Sequence, residues 1–71
     1  MVDLEKLRLL RKAQRLSQAE VSRRLGFEST TAYNYKETGH RGITADELAK
    51  LAAMLGVLAD DLLVKEQVGP A

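Results

Sequence analysis

Between Ser17 and Gly39 the chain twice opens a short segment on small hydroxyl residues and twice closes it on glycine. Ser17-x-x-Glu20 has the spacing of a capping box, in which the serine oxygen accepts from a free backbone N–H and the glutamate reaches back. Val21 and Leu25 follow four apart on one face, and Gly26 supplies the left-handed residue that ends the helix. The next segment starts near Ser29 or Thr30 and stops at Thr38-Gly39. The two together read as short helices joined by a tight turn, an arrangement that holds one helix, exposed along one side, against a scaffold.

The flanking segments supply that scaffold. A first helix is expected from about Asp3 to Gln14, capped by Asp3, with Leu4, Leu7, Leu10 and Ala13 recurring at three-residue steps. Leu9 falls off this stripe and either widens it or is exposed. Thr44-x-x-Glu47 is a second capping box, followed by Leu48, Leu51, Ala52 and Leu55 on one face and closed by Gly56. A short fifth helix over about Leu58 to Lys65 offers Leu62 and Leu63 to the interior. The fold class expected is all-α, a compact five-helix domain over residues 1–66 with a tail at 67–71. Its core would be Leu7, Leu10, Leu16, Val21, Leu25, Leu48, Leu51 and Leu55.

Composition narrows the function. Seventy-one residues make one small domain, near the size at which a single apolar core only just suffices. With no cysteine and a single histidine, His40, the chain has no set of metal ligands, and no cofactor site is expected. Nothing resembles a nucleophile with its base or a pair of buried carboxylates, so an enzyme is not expected. No apolar run approaches the ~18 residues of a membrane span and no leader pattern opens the chain, which reads as cytoplasmic. Net charge is only +1, yet residues 1–41 carry nine Lys/Arg against five Asp/Glu while residues 42–71 carry two against five. Such a lopsided distribution suits a domain that offers one face to a polyanion. Ser, Thr, Tyr and Asn in the third segment are mediocre helix formers, so that stretch reads as chosen for its side chains.

Leu7-x-x-Leu10-Arg11, Leu16-Ser17-Gln18-x-Glu20-Val21, Leu25-Gly26, Glu37-x-Gly39 and Leu55-Gly56-Val57 together resemble the helix-turn-helix domain of lambda-repressor-like and Cro-like transcriptional regulators, of the xenobiotic-response-element type. The resemblance covers roughly residues 4–64. It implies a sequence-specific regulator of double-stranded DNA whose third helix reads the major groove. From Gly26 to Gly39 the chain has one residue more than the usual pattern. If that residue lies in the turn around Phe27-Glu28, Tyr33 and the stem of Lys36 face inward and Asn34 and Tyr35 outward. If it lies at the helix end, Ala32 and Tyr35 are buried instead and Tyr33 points out. The ending Ala32-Tyr33-x-x-x-Glu37-Thr38-Gly39 favours the turn.

By resemblance, Gln18 at the start of the second helix contacts backbone phosphate, and His40 and Arg41 grip phosphate beyond the third helix. Ser29, at the start of the third helix, joins them because helix N-termini carry free N–H groups. Thr30, Thr31, Asn34 and Tyr35 are the candidate base readers. The Asn34 amide has the donor and acceptor that pair with adenine, and the threonine methyls suit thymine. The resemblance also implies an ion pair between Arg11 and Glu37. A single such module reads about one half-site, so a homodimer is expected, formed through the fifth helix and tail: Val57, Leu58, Leu62, Leu63, Val64 and Val68. Leu58 stands where the family usually has a polar cap. No ligand-sensing segment is evident. The competing reading is a helical protein-interaction module, antitoxin-like or an adaptor, for which the low net charge and a Tyr-rich, Arg-poor third helix speak.

Overall fold

The computed structural model describes residues 1–65. Four α-helices, α1 (Leu4–Ala13), α2 (Gln18–Leu25), α3 (Thr30–Glu37) and α4 (Ala45–Leu55), precede a 3-10 turn over Ala59–Leu62. The tail expected at 67–71, with Val68, lies outside the described residues.

Each α-helix starts where a side chain satisfies its free amides. Asp3 accepts from Lys6 N–H, Ser17 from Glu20 N–H, Ser29 from Ala32 N–H and Thr44 from Glu47 N–H. The Thr44 box is complete, with Glu47 Oε1 accepting from Thr44 N–H at 2.9 Å. The Ser17 box is only half made. Glu20 turns instead to Arg23 and Arg24, three and four residues on, where two cations outbid one backbone amide. Gly26 ends α2 at φ 82°. Gly39 follows α3 at φ 87°, and a Cβ there would sit 3.3 Å from Leu4 Cδ1, so the backbone after α3 lies directly on the start of α1. Between α1 and α2 a non-glycine residue, Arg15, takes the left-handed conformation at φ 58°.

The expected fifth helix is the 3-10 turn alone. Asp61 accepts from Leu58 N–H at 3.0 Å and fixes that turn. Leu63 is then extended and pairs with Val2 in an isolated antiparallel bridge. Asp3 N–H donates to the Leu62 carbonyl and Val64 N–H to the Met1 carbonyl, both at 2.8 Å. The N-terminal residues thus supply the partners a further helical turn would have supplied.

Leu7, Val21, Leu25, Leu51 and Leu55 form the core with Tyr33, Ala52 and Leu62. Leu10, Leu16 and Leu48, expected in it, are only partly buried around its rim, and Leu9 is 55% exposed. Each fully covered Leu contributes about 1.5–3 kcal/mol, so a handful of residues holds the domain together. Tyr33 and Leu62 are both wholly covered, which fixes α3 and the 3-10 turn to the same centre.

Candidate nucleic-acid interface

α3 is anchored on its inner face by Tyr33 and Glu37, four residues apart and both buried. Arg11 of α1 meets Glu37 with two parallel hydrogen bonds, Nε to Oε2 at 2.8 Å and Nη2 to Oε1 at 2.9 Å. Its remaining nitrogen, Nη1, donates to the Leu16 carbonyl at 2.7 Å. Glu37 is the residue that meets Arg11, and Tyr33 is buried while Tyr35 is 39% exposed, the facing of α3 expected with the extra residue in the turn and not the one expected with it at the helix end. Burial works against the Glu37 charge, but hydrogen bonds from Arg11 foremost hold its carboxyl below the usual carboxylate range. Glu37 in turn raises the Arg11 pKa. The Tyr33 hydroxyl is buried without a well-aligned partner, and burial together with the nearby Glu37 carboxylate pushes its ionisation far up.

A polar chain runs from this pair to the edge of α3. Gln18 Nε2 donates to Glu37 Oε1 at 3.2 Å, and Asn34 Nδ2 donates to Gln18 Oε1 at 3.1 Å. Both amides are therefore half-buried and engaged within the protein, whereas the sequence reading leaves Gln18 free for phosphate and Asn34 open at the front of the helix. The physical reason is the buried carboxylate: Glu37 has lone pairs to satisfy beyond those Arg11 uses, and Gln18 is the donor within reach.

Thr30, Thr31 and Tyr35 are exposed along α3, and Ser29 caps it. At its C-terminal end, Tyr35 of the helix gathers into one cluster with His40 and Arg41 of the following loop. The Tyr35 and His40 rings lie 5.7 Å apart, and the Arg41 guanidinium is 5.9 Å from the Tyr35 ring. Arg41 N–H donates to the Tyr35 carbonyl at 3.0 Å, which folds the loop back on the helix. Thr38, which the sequence reading passes over, organises this end. Its hydroxyl donates to the Asn34 carbonyl and stands 2.9 Å from His40 Nδ1.

The opposite edge of α3 is tied to α4. Lys36 Nζ lies 3.1 Å from Glu47 Oε1 and donates to the Gly42 carbonyl at 2.8 Å. Burial tends to raise the Glu47 pKa, but the Thr44 amide and Lys36 lower it on balance. Nothing in the helical spacing announces this contact, since Glu47 reads as a capping residue and nothing more. Among the described residues no cluster of His, Cys, Asp or Glu could hold a metal, and no helix is long and apolar enough to cross a membrane.

Two short helices joined by a tight turn, the second held at both edges with its third side open, have the arrangement of the helix-turn-helix class of DNA-binding proteins. The helix-turn-helix family model matches residues 7–62. The chain belongs to that family, the lambda-repressor-like and Cro-like DNA-binding regulators, a binding family and not an enzymatic one. A search of curated proteins and of solved structures finds no match to the chain.

Proposed function

We propose that the protein is a sequence-specific transcriptional regulator that lays α3 in the major groove of double-stranded DNA. The observation that carries this reading is the anchoring of α3: a buried ion pair and Tyr33 on one side turn Thr31 and Tyr35 outward together. Thr30, Thr31, Asn34 and Tyr35 read base edges, while Ser29, His40 and Arg41 meet phosphate. Gln18 contributes through Asn34 and, with α2's free N-terminal amides, lies close to the backbone.

The domain acts as a homodimer on a two-fold symmetric site. Leu62 is buried in the core and drops out of the surface expected to pair, and Leu63 is partly covered. Leu58, 72% exposed, and Val64, 44% exposed, remain as apolar groups at that end. Selection of bound sites from a random duplex pool tests the proposal, reporting a half-site and its spacing together. Affinity should fall steeply with salt as phosphate contacts are lost. No enriched site and no salt dependence would instead favour a protein-interaction module.

A further inference from the structure

Resting on the DNA-binding reading above, the polar chain beneath α3 fixes which way round Asn34 stands. The Arg11 guanidinium has donors only, and the carboxylate of Glu37 has acceptors only. Gln18 Nε2 lies 3.2 Å from Glu37 Oε1, so Gln18 must turn its NH2 to the carboxylate and its carbonyl oxygen the other way. That oxygen is 3.1 Å from Asn34 Nδ2, a contact that holds only if Asn34 donates. The Asn34 amide therefore has its NH2 toward Gln18 and its Oδ1 away from it.

We propose that Asn34 meets the major groove with its carbonyl oxygen and so selects a base that offers an amino group there, adenine or cytosine, over guanine or thymine. In that groove adenine N6 and cytosine N4 donate, whereas guanine O6 and N7 and thymine O4 accept. A surface asparagine free to rotate by half a turn serves either set. Here the reversed amide would lose its bond to Gln18 or force Gln18 to turn its oxygen on Glu37. One Nδ2 hydrogen is held by Gln18 and the second remains beside Oδ1, which adds adenine N7 as a partner and places adenine above cytosine. Gln18 and Glu37 are thus positioning residues for base choice.

The test selects sites from a random duplex pool with the wild-type protein, Asn34→Ala, Asn34→Asp and Gln18→Leu. At the one position that Asn34→Ala randomises, the wild type should prefer adenine or cytosine by on the order of tenfold. Asn34→Asp, an acceptor whichever way it turns, should keep that preference at lower affinity. Gln18→Leu should level the four bases there and leave the other positions unchanged. A guanine or thymine preference in the wild type overturns the proposal, as does a Gln18→Leu protein that selects like the wild type. If Gln18→Leu does not fold, agreement between wild type and Asn34→Asp decides alone. Side-chain amide NMR of the free protein separates this inference from the DNA-binding reading. One Asn34 Nδ2 hydrogen should be protected from exchange in the wild type, and equal exchange of both would overturn the relay whatever the DNA result. A protected hydrogen with no enriched site would overturn the DNA-binding reading and the base choice built on it.

Discussion

Arg11 Nη1 reaches the Leu16 carbonyl at 2.7 Å in the same pose that gives Glu37 its other two nitrogens. One side chain therefore closes the turn between α1 and α2 and anchors α3. The two functions are inseparable, because all three bonds depend on a single rotamer. The pair is almost wholly covered, with side-chain exposures of 8% and 2%, so its worth lies more in fixing α3 than in adding stability.

Removing one partner should therefore hurt more than removing both. Arg11→Met alone leaves Glu37 buried and uncompensated and should cost about 3–5 kcal/mol. The double variant Arg11→Met with Glu37→Leu should cost less than that single change. Urea denaturation of the three proteins checks the order, and a double variant weaker than Arg11→Met would mean the pair is itself strongly stabilising.

The same carboxylate makes stability depend on acid. The Glu37 pKa is lowered in the folded protein, so its contribution is fully present above the unfolded value of roughly 4.3. As pH falls through the lower folded value, that contribution is lost. Melting temperature should be level near neutrality and drop below about pH 4, and Glu37→Gln should flatten part of this acid limb. Glu47, also lowered, contributes to the remainder.

Tyr33→Phe should be close to neutral, within about 1 kcal/mol, because it deletes a buried hydroxyl that has no aligned partner while keeping the ring in the core. A loss well beyond that in thermal unfolding would show that the hydroxyl is bonded to Glu37 in solution.

Glu28 is exposed in the turn, one residue before the Ser29 cap, and is an acidic group where the reading above places phosphate. Glu28→Gln should strengthen binding to duplex DNA severalfold at low salt, with the gain fading as salt rises. Titrations at two ionic strengths check it; an unchanged affinity would move the DNA away from this end of α3.

What the sequence made legible is what depends on spacing. Caps at Asp3, Ser17, Ser29 and Thr44, the closing glycines and the apolar stripes are local patterns, and the four α-helices follow from them. Two departures came from partners distant in the chain. The segment after Leu58 reads as helical by composition, but pairing of Leu63 with Val2 draws it out straight. Gln18 and Asn34 read as free polar side chains because nothing in a helical pattern says that a buried Glu37 needs a third donor. The competition at Glu20 was legible in principle, since Arg23 and Arg24 stand at the right offsets on the same helix.

The Val2–Leu63 bridge closes nearly the whole described chain into a loop, while most other structure is made between near neighbours in sequence. Such a contact repays its closure entropy only after the helices have docked, so it should form late and open early. The amides of Asp3 and Val64 should then exchange with solvent by local fraying, well ahead of those in α2 and α4. The helix-turn-helix would thus keep its shape through excursions in which both outer segments have already let go.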